Sequence, residues 1–113
     1  MDKNRFPSIK AVEWQKENLF DADLSNMNLG DADLSEAQLA LANLFGARLS
    51  GANLSYAVLS HADLRHARLF STDLSDAVIT EADLDGADFL GAVFDNTDLS
   101  ESSLFGANLS GAD

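Results

Sequence analysis

From Leu19 to Leu109 every fifth residue is large and apolar, without a skip. Sixteen of these nineteen positions are Leu, and the others are Ile79, Phe89 and Phe94. Two residues before each stands a small one, most often Ala, as at Ala22, Ala32, Ala37 and Ala42. A period of five fits neither the 3.6 of a helix nor the 2 of an ordinary strand. One large and one small inward position in five suit a chain that turns a corner in each repeat. The Leu then fills the axis of a tube and the Ala lies against its wall. Such a unit cannot bury its apolar face alone, so successive turns must stack.

The unit Ala-Asp/Asn-Leu-X-X, seen at Ala22-Asp23-Leu24 and Ala52-Asn53-Leu54, closely resembles the pentapeptide repeat family and its motif A(D/N)LXX. The resemblance runs over about 95 of the 113 residues with no break in register. It implies an all-β solenoid, a right-handed quadrilateral parallel β-helix with four repeats per coil. Residues twenty apart should then stack, giving about five coils and, at ~4.8 Å between strands, a stack roughly 23 Å tall. Six of the seven glycines fall two residues after an apolar position: Gly46, Gly51, Gly86, Gly91, Gly106 and Gly111. Sorted by twenties, all six lie in just two corners. A type II turn needs φ > 0 at its third residue, which Gly supplies and Asn, Asp or His tolerate. The distribution therefore predicts two type II corners and two of another type.

Two segments are expected: an N-terminal cap at 1–18 and the repeats at 19–113. Ser8 is a candidate N-cap for a short helix at about 8–17, which would cover the first coil with Ile9, Val12 and Trp14. An open β-helix end exposes apolar side chains and unpaired backbone, so a cap is called for. The alternative places Val12 and Trp14 in the Ala-like and Leu-like slots of an irregular first repeat.

The chain has no Cys, so neither disulfides nor a thiolate metal site enters the picture. No signal peptide or membrane span is visible, and a cytoplasmic setting is expected. A net charge of −12 argues against direct binding to nucleic acid or an anionic membrane. The charge is uneven. Residues 17–36 carry a net −6, residues 37–70 a net +2, and residues 71–113 ten acids and no base. The tube is acidic at both ends with a neutral-to-basic waist.

Arg48 and Arg68, twenty apart, should stack as neighbours with Arg65 nearby, a candidate patch for an acidic partner; the plainer alternative pairs Arg68 with Asp88. Phe20, Phe45, Phe70, Leu90 and Phe105 directly follow their apolar residues and should point outward, with Leu41 and Tyr56 one place on. Such groups either mark a partner surface or staple adjacent coils. His61 and His66 sit at turn positions. Asp63 and Asp83 should stack, as should Glu81 and Glu101, but a water-facing role is favoured over a cation site. No nucleophile–base–orienter set or phosphate loop is present, so no catalytic residue, cofactor or metal is assigned.

The favoured function is a non-enzymatic interaction or scaffold protein, a rigid acidic rod with an unknown protein partner. The family resemblance supplies an alternative, since some members mimic B-DNA and bind DNA gyrase or related topoisomerases. Duplex DNA carries one charge per ~1.7 Å, so ~23 Å of it carries roughly 14. The repeats match that total but not its distribution, and no loop insertion of the gyrase-acting kind is seen. An ice-binding face would need stacked Thr, and Thr72, Thr80 and Thr97 do not stack. At the C-terminal end, the last coil should either pair weakly with a second copy or be continued by further chain; a monomer or weak end-to-end dimer is expected. Like charges in residues 71–113 repel, so added salt should raise the melting temperature by screening. A thermal melt at low and at physiological ionic strength checks this, and a fall in melting temperature would contradict it.

Overall fold

The computed structural model describes residues 8–113; residues 1–7 of the expected cap lie outside the described residues. Helix α1 spans Ile9–Trp14, and a 3₁₀ turn follows at Lys16–Asn18. Ser8 Oγ accepts the Ala11 N–H at 3.2 Å, occupying one of the donors that a helix start leaves unpaired. The helix is shorter than the 8–17 expected because the backbone tightens after Trp14. The Lys16 carbonyl then accepts the Gln38 N–H at 2.8 Å and joins the chain to the first full coil. Val12 is fully buried and Ile9 packs on the core beside it, but Trp14 is 83% exposed. Ile9 and Val12 are three apart and share a helix face, whereas Trp14 lies about 200° around from Val12. Trp14 therefore takes no part in the cap. No helix among the described residues is long and apolar enough to cross a membrane.

From Leu19 the chain winds as a right-handed quadrilateral parallel β-helix. Fourteen parallel bridges join residues twenty apart, from Asp23↔Asn43 to Asp88↔Asn108. They define four walls. The outward residues are Gln38, Val58, Val78 and Asp98 on the first, and Asp23, Asn43, Asp63, Asp83 and Ser103 on the second. The third carries Asn28, Arg48, Arg68, Asp88 and Asn108; the fourth carries Asp33, Asn53, Asp73 and Val93.

The repeat around Leu54 shows how the backbone is satisfied. Asn53 N donates back to Ala32 O at 2.9 Å, and Leu54 N donates forward to Asp73 O at 2.8 Å. At the corner, Tyr56 N donates to Ser75 O at 2.9 Å, and Ala57 N closes the turn onto Leu54 O at 3.0 Å. The corner residue two after each apolar position has φ between 55° and 72° throughout. The residue before it does not have positive φ, so every corner is a type II turn. The expected split into two corner types is corrected. Thirteen of these nineteen left-handed residues are not glycine, and they include Leu41 and Tyr56. The glycines answer a packing demand as well. A Cβ on Gly46 or Gly51 would lie 2.3 Å from the Asn26 or Asp31 carboxamide or carboxylate oxygen stacked on it.

Inside, Leu19 to Leu84, Ile79 and Phe89 are buried with the alanines beside them. Where Thr72 replaces Ala, its buried hydroxyl donates to Leu49 O at 2.7 Å, so the polar atom costs little. Phe94 packs against Phe89 with ring centroids 5.1 Å apart. Burial fades from there: Phe94, Leu99 and Leu104 are only partly covered, and Leu109 is 45% exposed. The axial column is fully buried only as far as Phe89, because no further coil among the described residues covers the last layer. Leu64→Ala, in the middle of the stack, should cost about 2–5 kcal/mol as a core cavity, read from urea unfolding. Leu109→Ala should cost much less, and equal losses would contradict this account of the axis.

Candidate functional site

With the interior packed as far as Phe89, the chemistry of the tube is carried by its outward side chains. The Asp or Asn before each Leu has a local task. In eleven corners its Oδ1 accepts the backbone N–H two residues on, at 2.9–3.2 Å. This is an Asx cap, and it satisfies a corner donor that the inter-coil ladder leaves over. The Ser hydroxyl two places on also binds Asp33 and Asp98, holding both carboxyls below their ordinary range.

The candidate surface residues fall into separate groups. Phe45, Arg65 and Phe105 share one corner column with Asp85 between the last two. The Arg65 guanidinium lies 5.2 Å from the Phe45 ring centroid, and His66 meets the same ring edge-on at 5.5 Å. Arg65 also grips Asp63 through two bonds of 2.9 and 2.7 Å and reaches Asp83 at 3.8 Å. The expected Asp63–Asp83 stack thus has a guanidinium against it. Phe70 and Leu90 share a second corner column, with Phe70 half-buried and Leu90 47% exposed. Phe20 stands alone at a third corner, 54% exposed, and Phe105 is 83% exposed. The rings form no single patch. His61 lies 3.9 Å from Glu81, within reach of an ion pair when protonated.

Arg48 and Arg68 are bridge partners on the third wall, both exposed. Neither makes an ion pair among the described residues, and the alternative Arg68–Asp88 pair does not form. Asp88 Oδ1 is engaged at its own corner by Leu90 N–H and by Asn108 Nδ2, each at 3.1 Å. The two arginines also displace the Asx residue of their repeats. Among the described residues, the Ser50 and Phe70 N–H groups consequently have no side-chain acceptor, a feature that charge and register alone do not reveal. Its signal was visible: Arg stands where the repeat calls for Asp or Asn.

Residues 18–55, 42–78 and 72–111 match the pentapeptide repeats in eight copies, and the chain belongs to the pentapeptide repeat family. Among solved structures, it is similar to a pentapeptide repeat protein from the thylakoid lumen of Arabidopsis thaliana. That likeness has 36% identity and a TM-score of 0.63, and covers 80% of this chain and 60% of the other. Rfr23, a pentapeptide repeat protein from the cyanobacterium Cyanothece 51142, matches at 28% identity and TM-score 0.52 over 73% of this chain and 60% of its own. QnrB1, a plasmid-mediated fluoroquinolone resistance protein, matches at 16% identity and TM-score 0.66, over 86% of this chain and 65% of its own. At that identity QnrB1 shares the fold alone. No curated protein matches. The chain spans about three-fifths of the length of the first two of these relatives. Proteins of this family are generally structural or binding proteins.

The Arg65 side chain, donating to Asp63, is the main cause of that carboxyl's depressed pKa, against an opposing push from burial. A carboxyl depressed on folding adds stability at neutral pH and down to the ordinary Asp value of about 3.9; that stability is lost as pH falls through the lowered value. Arg65→Met should raise the Asp63 midpoint in a carboxyl NMR titration, lower stability at neutral pH and shrink the loss of stability that Asp63 contributes as pH falls below the ordinary Asp value. An unchanged midpoint would remove Arg65 as the cause.

Proposed function

We propose that the chain is a non-enzymatic interaction protein that holds a protein partner on its outer walls. The observation that carries this reading is the division of labour within each repeat. The Leu and Ala positions build the axis, and most of the corner backbone is taken up by ladder and turn bonds. Only the outward positions are free to vary. On the third wall they depart from the capping pattern to present two arginines without ion partners among the described residues.

A gyrase-binding DNA mimic is the second reading. It draws on the total negative charge of the repeats, but the paired arginines at the waist oppose it. A duplex mimic needs an unbroken run of negative charge along its length. The purified chain should leave gyrase supercoiling unaffected.

The partner reading is tested with a partner purified on the immobilised chain and then titrated against variants altered one wall or corner at a time. Leu90→Ser, Phe105→Ser and the paired arginine replacements all lie outside the core and should leave the melting temperature nearly unchanged, as surface changes do. Binding should fall sharply for one wall and survive changes on the others. Equal binding by every variant would sink the side-wall reading, and inhibition of gyrase would favour the alternative.

A further inference from the structure

We propose that the third wall holds a carboxylate-rich peptide segment of the partner, seated on the Ser50 and Phe70 N–H groups and clamped by Arg48 and Arg68. This rests on the interaction reading above and names the chemistry of the partner.

The argument begins with the repeat's own use of carboxyl groups. A corner N–H two places after Asp or Asn is normally taken by that residue's side-chain oxygen, as Asp63 takes the Arg65 N–H at 3.0 Å. Where the repeat lacks Asp or Asn, an acid from elsewhere can serve. At Phe105 the preceding outward residue is Ser103, and the N–H is taken instead at 2.9 Å by Asp85, from the coil before. Asp85 also accepts the Ser103 hydroxyl. At the N-terminal end Glu13 of α1 likewise takes a different donor, the wall N–H of Asp33, at 2.7 Å. Free backbone donors on this tube thus recruit carboxylates from outside their own repeat.

Ser50 and Phe70 offer the same donor with no acceptor among the described residues. Ala40, Ser60, Thr80 and Asp95, whose repeats carry Gln38, Val58, Val78 and Val93, do so as well. Only Ser50 and Phe70 have an arginine in place of the missing Asp or Asn. Because Arg48 and Arg68 are bridge partners, their repeats are adjacent rungs, about 4.8 Å apart. Each rung therefore combines a fixed N–H with a guanidinium able to make charge-assisted bonds to an oxyanion. Carboxylate is favoured over phosphate because the protein itself places carboxylates on this donor. Residues 37–70 carry a net +2 between two acidic ends, so an acidic segment is drawn to the waist and repelled elsewhere.

The test uses the full ¹⁵N-labelled chain at physiological salt, titrated with a capped hexaglutamate peptide and, separately, with inorganic phosphate. The Ser50 and Phe70 amide signals should shift saturably with the peptide, while those of Ala40, Ser60 and Thr80 stay in place. Replacing both arginines by asparagine (R48N with R68N) restores the missing caps. That variant should melt at the same temperature or higher and bind the peptide at least about tenfold more weakly. Should it fail to fold, the pair R48Q with R68Q removes charge without the Asn change and must show the same loss.

Unmoved Ser50 and Phe70 signals, or full binding by the variants, would overturn the proposal. Phosphate shifting these amides while the peptide does not would overturn the choice of carboxylate. A partner retained undiminished by the arginine variants would sink this inference and leave the interaction reading standing. Failure to bind a partner at any wall would remove that reading itself.

Discussion

The left-handed residue at each corner is the constraint on which the rest depends. Without positive φ once every five residues, the chain could not turn inward repeatedly, and no Leu would meet the next around the axis. Most L-residues resist that conformation, at a cost of order 1 kcal/mol each. The tube compensates locally, because the strained residue is also a donor to the next coil. Leu41 N reaches Ser60 O at 2.9 Å, and His61 N reaches Thr80 O at the same distance. Strain and ladder bond are thus two aspects of one residue. The corners of the last coil, Asn96, Glu101, Gly106 and Gly111, keep their positive φ without such a bond among the described residues; in the coils before it the bond couples each coil to the next, which makes the stack cooperative along its axis.

Much of this was legible in the sequence, for a physical reason. A fixed spacing of large and small apolar residues leaves few geometries, and Leu24, Leu44 and Leu64 lie along the axis as that spacing demands. The corners were harder to read. Glycine clustering points to turn type, whereas Gly46 and Gly51 also make room for Asn26 and Asp31 above them. Positive φ is shared by glycine and non-glycine corners alike, so composition could not report it. Trp14, large and apolar, suits the cap by composition. Its position around the helix, which depends on where α1 begins, sends it to solvent.

The candidate site was only half legible. Arg48 and Arg68 could be paired by the twenty-residue register, and so could Phe70 with Leu90. What the pattern of letters did not convey was the task of the Asp or Asn that the arginines replace. That task emerges only when Oδ1 of Asp23, Asn43 or Asp73 is seen on a corner N–H. A substitution that reads as a surface charge change is also the removal of a cap. Its effect on the backbone donor gives the third wall a chemistry that charge arithmetic alone would not supply.

The twenty-residue register also governs how such a wall can be altered by insertion or duplication. A single extra residue between Arg48 and Arg68 would break the inward spacing. Five extra residues would restore it but carry Arg68 a quarter turn onto the next wall, away from its neighbour. Twenty would return it to the same wall one level further off. The arginine pair is therefore a phase-locked feature: whole repeats can be gained or lost outside it, but between its two members only the native length keeps them adjacent.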